Sequence, residues 1–189
     1  MTVVMKLIGY FMLWGLWSYS MHAFAHSTVK RRINFMRYLH MKHHAYVYVY
    51  SASKSTPWHD YFFWFGNWRS SLDIYITFTI PLVALALYDP VPGCILLGFH
   101  YLYEVFLSRR LDHNPNITGA LTKVLPIGSY HMRHHSDVHC NFSFYLTIWD
   151  HVFGTTEAKL ERRRDARQRR GSERAVVPDE LRPNTGIEP

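Results

Sequence analysis

Histidine motifs with helical spacing dominate the chemistry that this sequence offers. Histidine accounts for 13 of the 189 residues. Eight of these form three motifs: HxxxH at His22 and His26, HxxHH at His40, His43 and His44, and HxxHH at His131, His134 and His135. Side chains at positions i, i+3 and i+4 share one face of an α-helix, and helical metal sites use such spacing to bring nitrogen ligands to one ion. The sequence therefore predicts three helices that present imidazoles to metal.

Imidazoles in this number favour a pair of metal ions. Uncoordinated imidazoles beside apolar segments would be costly to desolvate and would repel one another when protonated, and bound cations remove both costs. All-imidazole ligation suits iron, zinc, copper or nickel, and eight nitrogens are too many for one tetrahedral ion. A structural zinc pair and a redox-active iron pair both remain open. The iron pair suits oxygen chemistry beside lipid chains.

The rest of the composition excludes several other classes of protein. Hydrophobic residues make up 48% of the chain, which excludes a wholly disordered protein. The cysteines, Cys94 and Cys140, cannot build a disulfide-stapled module or a zinc ribbon. The sequence contains no flavin, nicotinamide, phosphate-loop or haem-attachment motif. Electrons for a redox reaction must therefore come from a separate partner.

Three apolar runs predict an integral membrane protein of the all-α class. The segment 7–29 has no Asp, Glu, Lys or Arg, and Ile74–Tyr88 and Val91–Leu107 flank the turn Asp89–Gly93. Fifteen helical residues span about 22 Å against a hydrocarbon core of roughly 30 Å, so the later runs must either include flanking residues or be re-entrant. We expect a helical bundle with three to four membrane-embedded helices and a histidine-rich helical cap. A buried hairpin in a soluble protein and a cleaved signal peptide are the alternatives.

Basic residues predict the orientation of this bundle. Lys and Arg cluster at 30–42 and at 109–110, whereas the turn between the later runs has none. The positive-inside tendency therefore places residues 27–70 and 109–189, and with them the HxxHH motifs, on the cytoplasmic side of a multi-pass membrane protein.

The composition changes at the carboxyl end and predicts a domain boundary. We expect a membrane domain over residues 1–156 and a basic, largely disordered cytoplasmic tail over residues 157–189. Within the tail, residues 157–174 have the composition of a solvated helix. Docking on anionic lipid or on an acidic electron donor is another use for this charge, whereas a basic cluster appended to membrane helices does not favour nucleic-acid binding.

The order of the histidine motifs and the sequence after them resemble a known family. His134 and His135 are followed by Asn141-Phe142-Ser143 and then by Trp149-Asp150-His151-Val152-Phe153-Gly154-Thr155. Together with a single histidine, His113, between the hairpin and the last motif, this pattern resembles the fatty acid hydroxylase/sterol desaturase superfamily of membrane non-haem di-iron enzymes. The likeness covers about residues 15–156, and Ser143 stands where the family usually has glycine.

The resemblance implies a set of site residues. It makes nine histidines the metal ligands: His22, His26, His40, His43, His44, His113, His131, His134 and His135. It makes Asn141 and Asp150 residues that support these ligands or pack beside them. Asp150 either orients an imidazole through its distal N–H, caps a helix or pairs with an arginine. His100 and Glu104, an i, i+4 pair inside the third run, are a functional candidate or simply share a hydrogen bond.

The resemblance also implies an activity. Two iron ions and O₂ would hydroxylate a lipid C–H bond with electrons from a separate ferredoxin- or cytochrome-type donor. A lipid or sterol desaturase or a carotenoid hydroxylase of the same family is the alternative. From other classes, a membrane haem protein and a metal transporter or metal store remain open, although neither explains the tight histidine triplets.

Overall fold

The described part of the chain is built from helices alone. The computed structural model describes residues 2–27, 34–50, 61–64 and 67–176, and no strand occurs within these ranges, which confirms the all-α class. The elements are α1 (Val3–His26), α2 (Phe35–Tyr50), α3 (Trp68–Tyr88), α4 (Pro90–Leu111), a 3₁₀ turn (Ala120–Lys123), α5 (Ser129–Ser136), α6 (Ile148–Phe153) and α7 (Glu157–Val176).

Helices α3 and α4 form a hairpin whose turn is shorter than expected. Only Asp89 separates them, because α4 begins at Pro90, where a proline suits the first helical position. Both helices extend beyond the apolar runs, as the length argument requires. Each contains one π-helical stretch, Tyr75–Thr79 in α3 and Tyr103–Leu107 in α4, a feature often found beside functional sites.

The same two helices are the candidate membrane spans. Within the described ranges, α3 and α4 are long and apolar enough to cross a bilayer, and exposed apolar side chains such as Ile80, Leu87 and Ile95 cover them. Helix α1 has 24 residues, but its tyrosine, tryptophan and serine side chains dilute its apolar character. The number of spans and their orientation therefore remain predictions.

Helix α1 lies along the hairpin and is anchored at two levels. At the hairpin turn, Asp89 accepts hydrogen bonds from Lys6 Nζ at 2.7 Å and from Tyr10 Oη at 3.1 Å. Further along, the Trp14 indole N–H donates to the Phe78 carbonyl at 3.1 Å, and its ring stacks on Tyr145. Because α1 starts at the hairpin turn, its last residues lie at the opposite, open end of the hairpin.

The first part of the tail is helical. Helix α7 covers Glu157–Val176, where the sequence has the composition of a solvated helix. Residues 177–189 lie outside the described ranges, so their expected disorder stays a prediction. The sequence of α7 is rich in arginine, glutamate and alanine, which favour helix formation. Its first residues are also held by tertiary contacts: the Glu157 N–H donates to Asn141 Oδ1, and Glu157 pairs with Arg133 on α5.

Gly93 sets how closely the two helices of the hairpin approach. A Cβ at this position would lie 2.4 Å from Ala86 Cα. We predict that Gly93→Ala lowers the free energy of unfolding by about 1–3 kcal/mol, as other overpacked contacts do, measured as a lower Tm in detergent. Gly98→Ala is the matched control, since nothing lies within 4 Å of its Cβ position. An equal Tm for both variants would contradict this account of the hairpin.

Candidate metal centre

The nine predicted ligands come together at the open end of the hairpin in two adjacent groups. The five-histidine group consists of His22, His26, His40, His44 and His134, and the four-histidine group consists of His43, His113, His131 and His135. Within each group, one ring nitrogen per residue lies within 4.8 Å of all the others. Whether metal binds there stays a prediction.

Each HxxHH motif contributes to both groups. On α2, His40 and His44 join the five-histidine group, whereas His43 joins the other. On α5 the division is reversed, because His131 and His135 share the four-histidine group and His134 does not. Residues four apart face one way on a helix, and a neighbour one position away is turned by about 100°. One helix can therefore serve two centres that lie side by side.

The imidazoles of the five-histidine group converge on His134. Its Nε2 atom lies 2.8 Å from His22 Nε2, 3.1 Å from His26 Nε2 and 3.2 Å from His44 Nε2. His40 Nε2 lies 3.0 Å from His44 Nε2. Nitrogens that bind one ion at about 2.0–2.1 Å must themselves lie about 3 Å apart when they are neighbouring ligands. The separations thus match a shared ion.

Hydrogen bonds on the far side of two of these rings settle which nitrogen carries the lone pair. The Nδ1 atom of His22 lies 2.7 Å from the Phe142 carbonyl oxygen, and that of His134 lies 2.7 Å from the Cys140 carbonyl oxygen. A carbonyl only accepts, so both Nδ1 atoms are donors, and in neutral rings Nε2 is left with its lone pair. Two lone pairs then face each other across 2.8 Å. This arrangement repels unless a cation lies between them.

Asp73 orients the His40 ring, as the two carbonyl groups orient His22 and His134. Its Oδ2 lies 2.8 Å from His40 Nδ1, and both side chains are buried. A carboxylate behind a ligating histidine fixes the tautomer and raises the basicity of the ring. The sequence pattern does not single out Asp73, because this residue lies immediately before the second apolar run. An ionisable residue at the edge of a membrane segment was the available signal.

The four-histidine group has a similar geometry. His131 Nε2 lies 3.2 Å from His113 Nε2 and 3.1 Å from His135 Nε2. The His43 ring completes the group, with its centroid 5.1 Å from that of His113. The centroids of His44 and His135 are only 4.3 Å apart, so the two groups are direct neighbours.

Burial keeps these imidazoles neutral. Removal from water, followed by the proximity of other imidazoles, holds the pKa of His43 and of His131 well below the ordinary histidine value. Burial lowers the pKa of His134 to about 4, with the Cys140 carbonyl opposing the shift. Near neutral pH the rings are therefore unprotonated, which is the state that binds metal.

Asp150 supports the centre indirectly. None of the three roles expected for Asp150 is what the structure shows, because its carboxylate accepts hydrogen bonds from the backbone N–H groups of Phe142 and Ser143 at 2.8 and 2.9 Å. It also accepts from Thr155 Oγ1 at 2.6 Å and from Tyr130 Oη at 2.9 Å. Fully buried, it fixes the loop whose carbonyls orient His22 and His134.

Asn141 continues the same support. It lies in this loop with a positive φ of 57°, a conformation that asparagine tolerates better than most residues. Its Nδ2 donates to the Tyr130 carbonyl at 3.0 Å, and its Oδ1 accepts from the Glu157 N–H at 3.0 Å. Asn141 therefore joins the histidine-bearing helix α5 to the start of α7.

A small cavity opens beside the four-histidine group. It has a volume of about 30 Å³, enough for one or two water molecules. His43, His113 and His131 line it together with the carboxyl-bearing residues Asp73, Glu104 and Asp112 and the rings of Phe78 and Phe144. Small polar molecules that reach the centre would meet buried acidic groups here.

His100 and Glu104 lie outside both histidine groups and share a network. The His100 nitrogens lie 3.0 Å from Thr79 Oγ1 and 3.1 Å from Tyr145 Oη. Tyr145 Oη in turn donates to Glu104 Oε1 at 3.3 Å. The direct His100–Glu104 separation is 4.0 Å, so Tyr145 bridges the pair. The mutual hydrogen bond, one of the two alternatives that the sequence left open, is not formed.

Comparison with known families agrees with this geometry. The family model for fatty acid hydroxylases matches residues 7–155. The chain belongs to the fatty acid hydroxylase family, within the fatty acid hydroxylase/sterol desaturase superfamily. Members of this family are oxidoreductases of the hydroxylase and desaturase type. Comparisons with curated proteins and with solved structures find no significant match. Helix α7 lies beyond the matched region.

We predict that Asp150→Asn loosens the loop behind the centre. The amide would turn an NH₂ group toward N–H and O–H donors, and each lost hydrogen bond to a charged acceptor costs about 1.5–3 kcal/mol. A stability loss of about 3 kcal/mol or more and less bound metal should follow, measured by thermal unfolding and metal analysis. Tyr130→Phe removes only one of the four hydrogen bonds and should retain its metal. Full metal content in Asp150→Asn would refute the supporting role.

The two histidine groups predict a metal stoichiometry. Protein purified without chelators should contain about two ions per chain. His134→Ala should lower this to about one, since His134 lies at the middle of the five-histidine group. His139→Ala is the control, because His139 is exposed and belongs to neither group. If both variants bind metal like the unsubstituted protein, the ligand assignment is wrong.

Proposed function

We propose that this protein is a membrane-bound di-iron oxygenase that hydroxylates a lipid C–H bond with O₂ and externally supplied electrons. The observation that carries the proposal is the convergence of nine neutral imidazoles, with facing lone pairs on His22 and His134, in a chain of the fatty acid hydroxylase family. Structural zinc would also fit nitrogen ligands, but a hydroxylase needs a redox-active metal, and imidazole suits iron.

The histidine groups would hold one iron ion each. When bound, the iron pair would supply the electron exchange with dioxygen that C–H oxidation requires. Each turnover would insert one oxygen atom into the lipid and reduce the other to water, with a pair of electrons and a pair of protons consumed. The chain itself fixes the orientation of the imidazole rings. Asp73 and the Phe142 and Cys140 carbonyls each accept a hydrogen bond from one ring.

Aromatic side chains would keep bulk water from the centre. The Phe142 ring lies 5.5 Å from that of His134, and the Phe144 ring lies 4.6 Å from that of His22, measured between centroids. Phe78 packs edge-on against Phe144. An apolar lining of this kind limits side reactions of a reactive oxidant with solvent.

An apolar groove supports a lipid substrate. It lies between α1 and α4, has a volume of about 500 Å³ and is lined entirely by apolar side chains. Phe11 and Phe99 in this groove both contact the ring of Tyr145, which follows Phe144 at the centre. A hydrocarbon chain from the bilayer fits such a surface, and the site chemistry is compatible with either hydroxylation or desaturation of that chain.

Lipid analysis of cells that express the protein tests this function. We expect a lipid that has gained one oxygen atom, detected by mass spectrometry, in cells with the unsubstituted protein or His139→Ala and its absence with His134→Ala. A lipid that has lost two hydrogen atoms would show that the reaction is desaturation and not hydroxylation. An unchanged lipid profile with iron-loaded protein would refute both.

A further inference from the structure

A basic groove lies between α7 and the segments that carry the centre. Its volume is about 830 Å³, which makes it far larger than the cavity beside the histidines. Its rim carries four cationic side chains, and its floor includes Tyr130 and Asn141. The four cations are Lys123, Lys159, Arg162 and Arg163.

The positive charge of this groove is not neutralised within the described part of the chain. All four cationic side chains are exposed, and none is among the ion pairs formed there. The one acidic side chain that lines the groove, Glu157, is already paired with Arg133. Uncompensated charges of one sign around a concave surface attract a partner of opposite charge.

The floor of the groove is connected to the centre by a short path. Asn141 on the floor follows Cys140 in the chain, and the Cys140 carbonyl accepts the hydrogen bond from His134 Nδ1 at 2.7 Å. Tyr130 on the floor precedes His131 by one residue and donates to Asp150. Two residues of the floor are therefore linked to the histidine groups: Asn141 to His134 through the neighbouring Cys140, and Tyr130 to His131 as its neighbour in the chain.

We propose that the basic groove is the docking surface for an acidic protein that delivers electrons one at a time to the metal centre. The proposal rests on the oxygenase function, which consumes electrons that this chain has no cofactor motif to supply. It gives α7, which lies beyond the matched family region, a role in that reaction.

A lipid headgroup surface is the competing occupant, and the composition of α7 argues against it. A helix that lies in a membrane interface buries a face of large apolar side chains. Between Glu157 and Ser172, Leu160 is the only large apolar residue of α7, and arginines point outward along most of its length. A concave groove also suits a protruding protein partner better than a flat membrane.

Direct binding tests the proposal. The metal-loaded full chain in detergent is titrated with two acidic one-electron carriers, a plant-type [2Fe–2S] ferredoxin and the soluble domain of an acidic b-type cytochrome. We expect at least one to bind, more weakly at high salt because salt screens exposed charges. The double variant Lys159→Glu/Arg163→Glu should raise its Kd about tenfold or more, as charge reversal at an electrostatic interface does, with metal content unchanged.

The matched control is Arg169→Glu/Arg170→Glu. It changes the net charge of α7 by the same amount, but neither residue lines the groove. Its Kd should rise clearly less than that of the groove variant, since neither residue lines the groove and salt weakens the effect of exposed charges one helical turn away. Equal weakening in both double variants, or no binding of either carrier, would overturn the proposal.

A lipid surface and a defect in the oxygenase reaction are each tested by a separate measurement. Vesicles of phosphatidylcholine with and without phosphatidylserine test the lipid surface. If the groove variant loses binding to the anionic vesicles while carrier binding is unchanged, the groove is a membrane contact and the proposal fails. Lipid oxidation in a single turnover tests the oxygenase itself: the unsubstituted protein is reduced with dithionite without oxygen, freed of dithionite and then exposed to O₂. This measurement needs no carrier protein, so failure of the oxygenase is distinguishable from failure of the docking surface.

Discussion

Repulsion between the lone pairs of buried imidazole nitrogens is the constraint on which this structure depends. Nine histidines lie at one end of a small helical bundle, and the rings of His22 and His134 face each other through atoms that cannot donate a hydrogen bond to one another. Protonation would relieve one contact but would place charges in a desolvated site. Cations shared by the rings would relieve all of the contacts together, so both histidine groups have an arrangement that could hold metal ions.

The remainder of the fold works to hold the rings against this repulsion. Helix α1 is anchored to the hairpin at Asp89 and at Phe78, so its last turn is delivered to the open end. Asp150 collects four hydrogen bonds and thereby fixes the loop that orients two rings. Supporting groups of this kind fix the orientation of a ligating histidine and raise its basicity.

The two faces of the centre differ in character, and the difference suits the proposed chemistry. On one side, aromatic rings and an apolar groove approach the histidines from α1 and α4. On the other, the loop around Asn141 leads to a basic groove formed with α7. Under the proposals made above, a lipid and an electron carrier would therefore approach the histidines from different sides.

The sequence was enough to predict the all-α class and eight of the candidate ligands, because helical spacing places i, i+3 and i+4 side chains together whatever the tertiary fold. The ninth candidate, His113, and the family followed from the resemblance in motif order. The sequence did not reveal that His43 and His44 would serve different groups, that Asp73 would orient His40 or that Asp150 would act through the backbone. Nor did it show that α7 would be ordered by contacts with α5 and Asn141. These features depend on contacts between residues distant in the chain, which local periodicity does not encode and only the packed structure decides.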